Sequence, residues 1–100
     1  SDQITDLAIG SDRIDGPREV SAADLRELGS VADLSATALA AVLTPTAFAA
    51  NGAATFSLGA SGGSRTFLAL NDGLAGFQSA NDAIVEITGF TGSLTALAIV

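Results

Sequence analysis

The sequence predicts an α+β fold: a mainly antiparallel, sandwich-like β-sheet preceded by one or two short N-terminal helices. Three observations support this prediction. Apolar residues recur at helical spacing within residues 21–45, a period of two residues replaces that spacing from Ala54 onward, and turn residues separate the alternating runs. One hundred residues suffice for one domain. We divide it into lead-in strands over residues 1–17, a helical segment over 21–45 and an antiparallel sheet over 54–100.

The first seventeen residues alternate loosely between apolar and polar side chains. The stretch "QITDLAIGSDRIDGP" predicts one or two short strands, with a turn at Gly10-Ser11-Asp12 and a stop at Gly16-Pro17.

The stretch "SAADLRELG" predicts a first helix. Ser21 is a suitable N-cap, Asp24 stands at the capping-box position and Gly29 is a suitable residue just past the C-terminus. Leu25 and Leu28 would lie one turn apart on the buried face.

A second short helix is predicted in "LSATALAAVLTP", with Ser35 as its N-cap and Pro45 as its limit. Its apolar residues fall on one face of the helix: Ala36, Leu39, Val42 and Leu43.

Alternation with a period of two residues predicts the strands of the second half. Ala54–Leu58 and Ser64–Leu70 would form a hairpin around "GASGGS". Further strands are predicted over Asp82–Thr88 and over the terminal run Leu94–Val100.

Charge and composition exclude several classes of function. The net charge is −7 with four Arg and no Lys, which argues against nucleic acid and against anionic membrane surfaces as partners. No cysteine is present, so disulfides and thiolate sites are excluded. No apolar run approaches the roughly 18 residues needed to span a bilayer, so no membrane insertion is expected.

Catalysis is not expected. A nucleophilic triad needs a base, usually histidine, and the chain has none. Asp82 and Glu86 would lie about 13 Å apart along one face of a strand, too far for the carboxylate pair of a glycosidase. We therefore expect a protein that is not an enzyme and has no obligatory cofactor.

Calcium is the one metal whose preferred ligands occur at a suitable spacing. Asn71, Asp72 and Asp82 supply hard oxygen atoms at the two ends of one loop. Asn, Asp and Gly are also the standard turn residues, because they tolerate left-handed backbone and bind their own main chain. Turn formation is the favoured interpretation, and calcium binding the alternative.

The last forty residues carry a recognisable pattern. It runs through Thr66-Phe67, Asn71-Asp72, Gly76-Phe77 and Asp82–Gly89 ("DAIVEITG"), and then to an apolar terminus. This pattern resembles the bluetail-type C-terminal domain of surface proteins from cyanobacteria. "ITDLAIGSDRIDGP" near the start is similar to the stretch that follows hemolysin-type calcium repeats, although the G-G-x-G-x-D repeat itself is missing.

The resemblance implies a role in export. Such domains look like the uncleaved tails of RTX-like type I secretion substrates, which are secreted or held at the cell surface. The partners would be the exporter's ATPase and membrane fusion protein, and Leu94, Leu97, Ile99 and Val100 would carry recognition. Two alternatives remain: a self-associating surface-assembly module, and a β domain that binds a glycan or another protein.

Overall fold

The computed structural model describes residues 2–16, 19–59, 65–78 and 82–100. Its elements are β1 (Asp2–Gln3), β2 (Leu25–Val31), α1 (Ala36–Val42), β3 (Ala53–Leu58), β4 (Arg65–Leu70) and β5 (Ala83–Glu86), with one-turn 3₁₀ helices at Ala22–Asp24 and Leu94–Ala96. Within the described residues, no helix is long and apolar enough to cross a membrane.

The described strands form one five-stranded sheet in the order β1-β5-β4-β3-β2. The three central strands are antiparallel, as expected, and include the predicted hairpin of β3 and β4. Each outer strand is parallel to its neighbour, β1 to β5 and β2 to β3. The α+β class is therefore confirmed, and the sheet is mixed rather than purely antiparallel.

Both faces of the sheet are buried, although within the described part of the chain no second sheet covers either face. Along β4, Phe67 and Ala69 point to one face while Leu68 and Leu70 point to the other, as the alternation predicts. The predicted sandwich-like arrangement implies layers that cover the sheet. Here a helix and irregular chain supply those layers.

The two layers define two apolar clusters. The helix-side cluster comprises Val31, Leu39, Leu43, Phe48, Ala54, Phe56, Phe67 and Ala69. The terminal-side cluster comprises Leu7, Ile14, Ala53, Leu68, Leu70, Ile87, Leu97 and Ile99. Phe56 and Phe67 face each other across β3 and β4 with ring centroids 5.6 Å apart. Burying each large side chain contributes roughly 1.5–3 kcal/mol.

The first predicted helix is wrong. Residues 22–24 make a single 3₁₀ turn and Leu25–Val31 is the edge strand β2, paired with β3. A β-bulge between Glu27 and Ser30 shifts the register. Leu25 therefore packs on the terminal-side cluster, whereas Leu28 and Val31 pack on the helix-side cluster. Leu25, Leu28 and Val31 are three residues apart, as in a helix. In the structure they lie on a bulged strand whose side chains reach both clusters.

The second predicted helix is confirmed as α1. Ser35 has an extended backbone, and its hydroxyl accepts a hydrogen bond from the Ala38 N–H (3.2 Å). Leu39 is buried and Val42 packs beside it. The helical segment is accordingly shorter than the predicted 21–45.

Among the described residues of the lead-in segment, the predicted strands are reduced to the two-residue β1 and to isolated β-bridges, and the predicted turn is present. Gly10 adopts a positive φ of 101° at that turn, and the Asp12 carboxylate accepts the Ala8 N–H (2.8 Å). The predicted stop at Pro17 and most of "GASGGS" (residues 60–64) lie outside the described residues.

Candidate functional site

The terminal segment, Leu94–Val100, is the part of the chain to which the sequence assigns recognition. It is not the predicted strand: residues 94–96 form a 3₁₀ turn, and Ile99 makes only isolated β-bridges. One bridge is parallel, to Ile14, and the other is antiparallel, to Val20. The segment lies between two stretches of irregular chain, which is why no continuous ladder forms.

Four backbone hydrogen bonds hold the end of this segment. The Ile14 N–H donates to the Ala98 carbonyl (2.9 Å), and the Val100 N–H donates back to the Ile14 carbonyl (2.8 Å). The N–H groups of Gly16 and Val20 donate to the carbonyls of Val100 (2.9 Å) and Ile99 (3.1 Å). Backbone groups in the first fifth of the chain are therefore hydrogen-bonded to each of its last three residues.

Just before the segment, the same N-terminal stretch makes a second contact. The Ile9 N–H donates to the Thr91 carbonyl (2.9 Å), and the Thr91 N–H donates to the Leu7 carbonyl (3.0 Å). Gly92 has a positive φ of 92°, and a Cβ atom there would lie 2.6 Å from the Ile9 carbonyl oxygen. Only glycine allows the two backbones to approach this closely.

The four residues predicted to carry recognition differ in exposure. Leu97 and Ile99 are buried in the terminal-side cluster, with Ile99 only 2% exposed. Leu94 is half-buried against the same cluster, and Val100 is 43% exposed. The folded domain therefore conceals the two central side chains of the predicted recognition sequence.

The predicted calcium ligands do come together in one loop. The Asp72 N–H donates to the Asn71 Oδ1 (2.8 Å) and to the Asp82 Oδ1 (3.2 Å). The Asp82 Oδ2 accepts the Gln78 N–H (2.6 Å), and the Asp72 Oδ1 accepts the Leu74 N–H (3.0 Å). The buried Asn71 side chain also donates to the carbonyls of Phe48 (3.0 Å) and Ala49 (2.9 Å).

This arrangement fits loop bracing better than calcium. The loop's carboxylate and amide oxygens take backbone N–H donors, while Ca²⁺ needs six to eight oxygen ligands. Among the described residues, no group of three or more Asp, Glu, His or Cys side chains could hold a metal ion. Burial, opposed by the N–H donors of Gln78 and Asp72, raises the pKa of Asp82. Calcium binding by these residues stays a prediction that the geometry disfavours.

A further group of polar side chains, around Glu86, was not predicted from the sequence. Arg65 binds the Glu86 carboxylate with two N–H groups (3.0 and 3.1 Å), and the Thr88 hydroxyl donates to it at 2.6 Å. Arg65 also lies over the Phe67 ring, 5.2 Å from its centroid. Arg65 is the lone charge between Leu34 and Asn71, beginning a strand whose antiparallel neighbour carries Glu86. A lone cation on one strand and an acid on the neighbouring strand are the sequence features from which this ion pair could have been inferred.

No family model, curated protein or solved structure matches this chain. The fold and site geometry stand on the structure alone, and the resemblance to bluetail-type domains stays a prediction from the sequence.

Proposed function

We propose that this chain is a non-catalytic secretion and targeting domain. It directs a larger surface or extracellular protein through a type I secretion system and folds after export. The proposal combines the resemblance of the sequence with the way in which the terminal segment is held.

The observation that carries the proposal is the pairing of the terminal segment with the start of the chain. Ile14 and Ile99 are bridged although nearly the whole chain separates them. Closing so long a loop costs more entropy than closing a hairpin, and non-local pairing slows folding. The segment therefore stays free until the rest of the domain is in place, which gives an exporter time to bind it.

The chemistry of the segment suits capture in an extended form. It carries no charged side chain, and Leu97 and Ile99 alternate with the small Ala96 and Ala98. An extended peptide of this kind offers backbone hydrogen bonds together with alternate apolar side chains. In the folded domain Leu97 and Ile99 are buried, so recognition precedes folding.

The test is export of a passenger protein fused to this domain, in cells that carry a type I exporter able to secrete the intact fusion. Replacing residues 94–100 with Ser and Gly should abolish secretion. The amount of passenger in the medium, measured by quantitative immunoblotting against total passenger, gives the result. Normal secretion of this variant would overturn the proposal.

A matched control separates lost recognition from lost folding. Phe48 is fully buried in the helix-side cluster, remote in sequence from the terminal segment. Phe48→Ala should destabilise the fold by about 3–5 kcal/mol. We expect it to leave secretion intact or faster, because the exported chain is unfolded. Equal loss of secretion in both variants would show that export needs the folded domain.

The alternative of self-assembly through an uncovered sheet edge has less support. β2 is the longest edge strand, and it is interrupted by a bulge and carries the exposed charges of Arg26 and Glu27. Bulges and charges on an edge discourage pairing with another chain.

A further inference from the structure

One corner of the sheet face beneath the terminal layer is polar. Thr55 on β3 is paired with Glu27 on β2, and the next inward-facing position, Ser57, is paired with Thr66 on β4. Leu68, opposite Thr55, belongs to the terminal-side cluster, so these side chains share its face. From the covering chain, Leu94 of the Leu94–Ala96 turn reaches this corner.

A cavity of about 180 Å³ opens at this corner. Hydroxyl-bearing side chains of β3 and β4 line it, with a carboxylate at the β2 edge and an apolar side chain on the terminal segment. The lining residues are Glu27, Leu28, Thr55, Phe56, Ser57, Thr66 and Leu94. At roughly 30 Å³ per water molecule, the space equals about six waters, close to the volume of a single sugar ring.

Thr55 is the most buried of the polar side chains that line this cavity. It is only 2% exposed, and it lines the cavity. Its hydroxyl is not sealed from solvent without a hydrogen-bond partner. A molecule that enters the cavity can both donate a hydrogen bond to this hydroxyl and accept one from it.

The side chains that line the cavity determine which kind of molecule it can bind. Glu27 and the absence of any cation among the lining residues disfavour an anion. One carboxylate is too few for Ca²⁺. Hydroxyl groups both donate and accept, a carboxylate accepts from two neighbouring hydroxyls, and Leu94 offers an apolar wall for C–H groups. We propose that the cavity binds a small neutral polyol, a single sugar ring or a linear sugar alcohol. This site is independent of the proposed export function.

The test is titration of the intact folded chain with D-glucose, D-galactose, D-mannose and xylitol, followed by two-dimensional amide NMR. At least one of them should produce saturable shifts, in the millimolar range, centred on Glu27, Thr55, Ser57, Thr66 and Leu94. Thr55→Val should weaken this binding by about three- to tenfold, the effect of one hydrogen bond. Its melting temperature should stay close to that of the natural chain, because Val and Thr have nearly the same shape and both favour strands.

Thr37→Val, on the exposed face of α1, is the matched control and should leave the titration unchanged. Absence of saturable shifts with every probe would overturn the proposal. So would saturation by n-butylammonium with no response to the sugars, which would assign the cavity to amines, and so would equal affinity of Thr55→Val and the natural chain.

Discussion

At the scale of the residue, Glu86 is a carboxyl group whose partners set its pKa. The hydrogen bonds from Arg65 lower its pKa most, the Thr88 hydroxyl lowers it further, and the pKa falls from 4.5 to about 2. The Thr88 Oγ1 in turn accepts the Thr66 N–H (3.0 Å), so the group joins β4 to the end of β5. Glu86 is thus linked through Thr88 to the backbone of β4.

This lowered pKa predicts how stability changes with pH. Ionised Glu86 stabilises the folded state above the unfolded pKa of about 4.5, and that stability is lost as pH falls through the folded pKa of about 2. We expect Glu86→Gln to lower the melting temperature at neutral pH and to flatten its fall over this window. Thermal unfolding monitored by circular dichroism from pH 7 to pH 2 measures both effects.

Glu19→Gln is the control, since Glu19 is exposed. It should reproduce the pH dependence of the natural chain. Asp82, whose pKa burial raises, contributes with the opposite sign: its stabilising protonated form is lost as pH rises through its folded pKa. A Glu86→Gln curve parallel to that of the natural chain would show that the pair with Arg65 has no net effect.

At the scale of the element, the contrast between α1 and β2 shows when local signals suffice. Ser21 and Asp24 look like a capping box, and the Ser21 hydroxyl does donate to the Asp24 carboxylate (3.1 Å). That contact supports only a single 3₁₀ turn before the chain enters the sheet. Ser35 begins a real helix because Leu39 and Leu43 behind it have the helix-side cluster to pack against.

The cap of α1 gives a prediction at this scale. Ser35→Ala removes the acceptor for the Ala38 N–H, so we expect the free energy of unfolding to fall by about 1 kcal/mol. Urea denaturation monitored by circular dichroism measures the change. Ser93 precedes the Leu94–Ala96 turn without capping it through its side chain, so Ser93→Ala should cost less. Equal losses in the two variants would contradict a capping role for Ser35.

At the scale of the whole molecule, the two covering layers are built differently. The helix layer comes from contiguous chain, residues 31–48, which joins β2 to β3. The terminal layer combines residues 7–14 with 97–99, from opposite ends of the chain. Neither half of the terminal layer can cover the sheet without the other, so its formation depends on long-range contacts.

Neighbouring residues at the end of the chain test this construction. Ile99 is buried between Ile14 and Val20, whereas Val100 is 43% exposed. Ile99→Ala should lower the free energy of unfolding by about 2–5 kcal/mol, and Val100→Ala by less than about 0.5 kcal/mol. Urea denaturation of both variants checks this. A loss below about 1 kcal/mol for Ile99→Ala would mean that the terminal layer contributes little to the fold.

Much of the molecule could be predicted where the determining contacts are close in sequence. The cap at Ser35, the hairpin of β3 and β4, the strand at β5 and the turn at Gly10 depend on neighbours or on one short loop. The pairing of Arg65 with Glu86 could not be derived without the register of β4 against β5, because a shift of one residue would place Glu86 on the opposite face. The hydroxyl-lined cavity depends on the registers of β2 against β3 and of β3 against β4.

The sequence by itself determined the α+β class, the central antiparallel strands and the position of α1. These follow from side-chain period and capping, which act within a few residues. Only the tertiary structure decided that Leu25–Val31 is a bulged parallel strand. It also decided that the terminal segment is hydrogen-bonded to the backbone of Ile14, Gly16 and Val20. The physical reason is that backbone hydrogen-bonding groups at an edge accept any suitably placed partner. Which partner is placed there depends on packing between residues far apart in the chain.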